Sequence, residues 1–132
     1  MKFLLLLYGD ETRWIDQPPD EAAAEMELWE AFGNKLVQAG AFVAGEALQP
    51  TSTATTVRIH DRAPAHTDGP FAETREQLGG FYVLECKDRE EALAWAAKVP
   101  DLGEDGSVEV RPVIDYEAYD SATEAQAGAK QA

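Results

Sequence analysis

The chain has one cysteine, two histidines, and only 11 lysines and arginines against 25 aspartates and glutamates in 132 residues. The single thiol, Cys86, excludes an internal disulfide and any cysteine-based zinc cluster, and suits a reducing compartment. The shortage of basic residues leaves a formal net charge of −14. Such a surface repels phosphate backbones and anionic lipid, so direct nucleic-acid binding is not expected. The charge serves solubility, or it forms an acidic face for a basic protein partner. The run Leu4-Leu5-Leu6-Leu7 is too short for a signal peptide and leads into Tyr8-Gly9-Asp10-Glu11 with no small-residue cleavage site. No segment approaches the ~20 apolar residues of a membrane span, and a cytoplasmic location is expected. There is no phosphate-cradling glycine loop, no Gly-x-Ser-x-Gly elbow and no His-Glu-x-x-His pair. No metal and no cofactor are expected.

What is present suffices for one domain, burying about two-thirds of its unfolded surface. The domain is expected over residues 1–114, with a polar tail over 115–132 that frays from about Ser121. Phe3 to Tyr8 reads as a strand apolar on both faces. A helix is predicted from Pro18-Pro19-Asp20, with Asp20 as N-cap, and with Met26, Trp29, Gly33, Leu36 and Val37 at helical spacing before Gly40. Strands are predicted over Phe42 to Leu48 and Thr55 to His60, followed by a turn over Asp61 to Ala65. Another strand runs from Phe81 to Cys86. Asp88 caps a second helix, with Glu91 three residues on and Ala92, Trp95, Ala96 and Val99 as its apolar face. Ser107 to Val113 is the last strand. The order is that of a split βαβ arrangement, α+β in class, with an inserted strand or hairpin and both helices on one face of the sheet.

Two strands are apolar on both sides. Phe3, Leu5 and Leu7 alternate with Leu4, Leu6 and Tyr8, and Phe81 and Val83 with Tyr82, Leu84 and Cys86. Helices cover only one face, so the other needs a second subunit, and an isologous homodimer is expected.

The most specified segment is Thr67-Asp68-Gly69-Pro70-Phe71-Ala72-Glu73-Thr74-Arg75-Glu76-Gln77-Leu78-Gly79-Gly80. Gly69 admits backbone angles closed to other residues, Pro70 fixes its own φ, and Asp68 is a turn former. Thr74 and Gln77 have capping-box spacing, which predicts a helical turn ending at Gly79-Gly80. From Asp68 onward this stretch resembles the signature of YCII-related proteins of the DGPF type. The opening Met1 to Tyr8, the Thr56-Val57-Arg58 strand, the Glu91-Ala92-Leu93 helix and the closing Gly106 to Pro112 agree. The resemblance covers roughly Met1 to Val113. It implies a ferredoxin-like fold that pairs into a dimeric α/β barrel. It also implies, through members linked to extracytoplasmic-function sigma factors, a non-enzymatic regulatory reading. Related proteins carry a histidine near an aspartate at the head of the first helix as an acid–base pair; this chain has Pro18-Pro19-Asp20 there.

Candidate site residues follow from charges on strands and in this segment. Arg58 and His60 share a strand face, as do Glu109 and Arg111. If Arg58, Arg111 and Asp68 converge, they form a polar patch suited to a small polar or anionic ligand, the arginines holding a carboxylate or phosphate. The competing reading makes such charges cross-strand pairs on a wet face. Asp68 is the candidate acid or base, with Glu73, Arg75 and Glu76 beside it in sequence; alternatively Asp68 caps the turn and the glutamates face water. His60 and His66 flank a turn, and surface placement is the simpler reading. Cys86 reads as a buried structural thiol and Trp14 as a loop residue packed on the core. Two functions stand, small-metabolite binding with or without turnover, and regulatory contact with another protein.

Overall fold

Strand β1 (Lys2–Gly9) runs down the middle of the molecule. A computed structural model describes residues 1–69 and 76–118. After β1 come a single helical turn α1 (Thr12–Ile15), the long α2 (Pro19–Gln38), β2 (Phe42–Ala47) and a 3₁₀ turn (Thr51–Thr53). Then follow β3 (Thr55–His60), β4 (Ala63–Asp68), β5 (Gln77–Glu85), α3 (Arg89–Ala96) and β6 (Ser107–Pro112). The main sheet is antiparallel in the order β2-β5-β1-β6, while β3 and β4 form a two-stranded sheet of their own. This is a ferredoxin-like α+β fold with an inserted hairpin.

The alternation in β1 sets the two faces. Phe3, Leu5 and Leu7 are buried under the helices, together with Leu84 and Cys86 from the β5 end, Phe32 and Leu36 from α2, and Ala92 from α3. Phe32 meets Tyr82 and Trp95 edge-on at 5.5 and 6.2 Å between ring centroids, the arrangement aromatic quadrupoles favour. Residues directly opposite in an antiparallel pair share a face. The register therefore puts Leu4, Leu6, Val83, Phe81, Arg111 and Glu109 together on the other face. There Leu4, Leu6, Phe81 and Val83 are half-buried.

Local chemistry explains most boundaries. Asp88 caps α3 by accepting from the Glu91 amide at 2.9 Å, and the Glu91 carboxylate in turn accepts from the Lys87 amide at 3.1 Å. In α2 the cap is different from that predicted. Pro18 precedes the helix, Pro19 starts it, and Asp20 lies in the first turn, where a carboxylate favours the positive helix end. The buried stripe of α2 is Phe32 and Leu36, flanked by half-buried Trp29 and Gly33, whereas Met26 and Val37 are 61% exposed. The helix is rotated about its axis from the predicted face because Phe32 fills the space over Tyr82.

Two turns also differ from expectation. The reversal between β3 and β4 is only Asp61-Arg62, with φ of 49° and 65°, the double left-handed geometry that suits a two-residue hairpin loop. Pro64 is then a strand residue, as proline is on an exposed edge. Gln77 to Gly80, predicted as helical, begin β5 instead, because Gly80 and Leu78 pair with Leu7 and Tyr8. Thr74 lies outside the described residues, as does the tail from Ser121. Gly69 has φ of 105°, the region that glycine alone enters freely. No helix among the described residues is long and apolar enough to cross a membrane.

Gly80 sits where a side chain has no room. A Cβ there would lie 2.8 Å from the Glu46 carbonyl oxygen, whereas one on Gly33 would meet nothing within 4 Å. Gly80→Ala is expected to lose roughly 1–3 kcal/mol in urea unfolding, as overpacking does. Gly33→Ala is expected to gain roughly 0.5–1 kcal/mol, since glycine is a poor helix residue.

Candidate functional site

A cleft of about 910 Å³ opens at the end of the sheet where β1 finishes and β5 and β6 begin. Leu48, Leu78 and Val108 give it apolar walls; Tyr8, Glu76, Gln77, Ser107 and Glu109 bring polar groups. The segment from Gln49 to Ala54 closes one side. Among these, the sequence-predicted candidates Glu76 and Glu109 are present, and Asp68, Arg58 and Arg111 are not.

The strand register builds the polar side. Between Leu7 and Tyr8 the pairing with β5 slips by one residue, so Gly80 faces Leu7 while Leu78 faces Tyr8, with Gly79 extra. Such a bulge re-aims the side chains beside it. On the opposite edge Ser107 faces Tyr8 and Glu109 faces Leu6. The Tyr8 hydroxyl donates to Glu109 Oε1 at 3.4 Å, and the Ser107 hydroxyl donates to Glu76 Oε1 at 3.0 Å. Arg111 Nε lies 3.9 Å from Glu109 Oε2, an exposed ion pair of little energetic weight.

Glu11 holds the wall in place. Its carboxylate accepts from the Thr51 amide at 3.0 Å and from the Thr51 hydroxyl, and its own amide donates to Gln77 Oε1 at 3.0 Å. The Leu48 amide donates to the Gly79 carbonyl at 2.8 Å. Trp14, expected in a loop, lies in the helical turn α1; it sits over Gly79 and donates to Glu25 at 3.2 Å, and so packs on the sheet end.

Asp68 is exposed at the end of β4, opposite Thr55. Its neighbour Gly69 donates to the Ala54 carbonyl at 2.6 Å and accepts from the Thr56 hydroxyl at 2.7 Å. The Asp-Gly corner is thereby tied to the cleft wall, and Glu76, where the described chain resumes, lines the cleft. Glu73 and Arg75 lie outside the described residues. Arg58 and His60 stand exposed on β3, which pairs only with β4 in the sheets, while Arg111 is on β6. The hairpin does not extend the main sheet, so the charged face of β3 is not continuous with that of β6. His60 and His66 do not face each other: His60 is opposite Ala63 and His66 opposite Val57. Cys86 is buried, and burial, with Glu91 next, pushes its thiol pKa up; it has the character of a packing residue.

Tyr8, Ser107, Gln77 and Glu11 were not legible as site residues. Tyr8 looks like the last member of an apolar alternation, and Glu11 is one acid among many. Only the bulge and the long-range bonds reveal them.

Burial raises the Tyr8 phenol above its ordinary pKa, Glu109 pushes the same way, and Arg111 opposes. In ultraviolet titrations differenced against Tyr8→Phe, Glu109→Gln is expected to lower the Tyr8 midpoint while leaving it above that of free tyrosine. Arg111→Ala is expected to raise it.

Comparison with known proteins adds the family. The YCII-related domain matches residues 1–117. An uncharacterised protein of Rhizobium meliloti (strain 1021) is 37% identical over 117 residues, 88% of this chain and 94% of its own length. An antiparallel βαβ sheet with this match across nearly its whole length makes the chain a member of the YCII-related family.

Proposed function

We propose that this protein, as a YCII-related protein of the DGPF type, binds a small polar metabolite in the cleft beside the Asp68-Gly69 corner. The observation that carries the reading is the meeting of Tyr8 with Glu109 and of Ser107 with Glu76 in the lining of a largely apolar cleft of about 910 Å³. A largely apolar cavity with a few convergent polar groups is the usual make-up of a small-ligand site. Two carboxylates there favour a ligand that presents hydrogen-bond donors over the anionic group suggested by the arginines. Where turnover follows binding, the neutral Tyr8 phenol beside Glu109 is the group placed to pass a proton. Asp68, tied to the wall through Gly69, acts at the rim.

The half-buried stripe of Leu4, Leu6, Phe81 and Val83 supports a homodimer packed on the open face, in the manner of a dimeric α/β barrel. The single cysteine suits the cytoplasm. The net charge of −14 favours a second reading, a regulatory contact with a basic surface on a protein such as an extracytoplasmic-function sigma factor.

The test is to incubate wild type, Tyr8→Phe and Glu109→Gln with a pool of small polar metabolites, desalt, denature and identify what was retained by mass spectrometry. Retained compounds are expected to bind the variants about 10- to 100-fold more weakly, the worth of a hydrogen bond to a charged group. Equal retention by all three proteins, with unchanged unfolding curves, would remove the cleft from consideration.

A further inference from the structure

Among the described residues, four hydroxyls line the cleft, and chemistry fixes the direction of the hydrogen bond each one makes. Tyr8 gives its proton to Glu109, Ser107 to Glu76, Thr51 to Glu11 and Thr53 to the Pro50 carbonyl. None of those acceptors, three carboxylates and a carbonyl, carries a proton to return. Burial, and after it Glu109, raises the Tyr8 pKa, so the phenol keeps the proton it donates. The backbone of the wall is committed in the same way. The amides of Leu48, Thr53 and Ala54 donate to the carbonyls of Gly79, Pro50 and Thr51, and the Thr51 amide donates to Glu11.

What these groups have left to offer a ligand is lone pairs. A hydroxyl that has donated can still accept, and a carboxylate only accepts. The described lining includes no lysine, arginine or histidine, and apart from the uncharged carboxamides of Gln49 and Gln77 no other side chain in it carries a donor. Arg111 stands outside the lining. Its Nε is 3.9 Å from Glu109 Oε2, beyond hydrogen-bond length, and its side chain is 67% exposed. Glu109 therefore keeps its acceptor character toward the cleft. An anion there meets two like charges. An alcohol brings one donor together with lone pairs of its own. An ammonium brings three donors and no acceptor, which is the complement of this lining, and its bonds to carboxylates are of the stronger, charge-assisted kind. Leu48, Leu78 and Val108 ask for hydrocarbon next to it.

We propose that the ligand of the cleft is a protonated primary amine on an apolar body, its ammonium held by Glu109 and Glu76 and its hydrocarbon by Leu48, Leu78 and Val108. The inference rests on the cleft reading above and adds the charge and the donor set of the ligand.

Its test uses probes of one length. Hexylammonium, hexanol and hexanoate are titrated into isotope-labelled protein, and the backbone amide shifts of Leu78, Ser107 and Val108 report occupancy. Hexylammonium is expected to bind at least about tenfold more tightly than hexanol, and hexanoate not to bind. Glu109→Gln and Glu76→Gln, both at exposed positions, are each expected to weaken hexylammonium about tenfold and to leave hexanol as it was. Glu30→Gln removes one charge from an exposed position of α2 and is expected to change nothing. An equal loss there assigns the attraction to the general field of the acidic chain and overturns the proposal. Hexyltrimethylammonium keeps the charge without an N–H; binding as tight as that of hexylammonium overturns the donor set. Hexanol or hexanoate bound in the cleft as tightly as the amine overturns the ligand class and leaves the cleft standing as a site. Shifts that stay still with every probe also overturn the class, and retention from the metabolite pool then decides the cleft by itself.

Discussion

Strand β1 has two neighbours to bond and two faces to bury, and everything else is arranged around that demand. Its backbone is paired on both edges, to β5 and β6. Its odd-numbered residues are sealed by α2 and α3, and its even-numbered ones are left half-buried on a face that no described helix covers. Apolar area removed from water contributes about 25 cal/mol per Å², so a face that stays half wet is an unspent driving force for association. The helix-facing side makes the domain stable. The other side is the face on which we propose that a second copy packs.

At the cleft β1 loses its register with β5 but keeps it with β6. At Leu7/Tyr8 the ladder with β5 slips and Gly79 takes up the extra position, while the ladder with β6 stays in register and sets Tyr8 opposite Ser107, on the same face as Glu109. The wall opposite is not part of the sheet. It is a short connection after β2, held in part by Glu11, whose carboxylate accepts from Thr51 and whose amide donates to Gln77, and in part by backbone bonds from Leu48 to Gly79 and from Gly69 to Ala54. The site is therefore made of a strand irregularity on one side and a clamped loop on the other, both consequences of where the chain leaves regular pairing.

Most elements of regular pairing were readable from sequence because one local signal sufficed for each; β4 was not, its first residues reading as a turn. A run apolar on both faces marked β1, alternation marked β3, and Asp88 with Glu91 marked the start of α3. Where two signals competed, the longer-range one won. Gln77 to Gly80 have the capping and stop residues of a helical turn, yet pairing with β1 draws them into β5. Asp20 has the chemistry of an N-cap, but Pro19 with its fixed φ starts the helix before it. Glu76 and Glu109 could be named as candidates from their charge and position. Their partnership with Ser107 and Tyr8 could not, because it joins residues separated by 31 and 101 positions. Arg58 and Arg111 lie on strands of separate sheets, and nothing local says that β3 pairs with β4 rather than with the main sheet.

The ladder of the hairpin has one more implication. Thr56 lies directly opposite Thr67, so the backbone that departs for the tip and the backbone that comes back from it are already side by side at the base. A shorter chain could close there with a tight reversal and still present the same corner, the same wall and the same opening to the cleft. The excursion beyond that crossing is an appendix in the architectural sense: none of its residues from Val57 to His66 lines the room it borders.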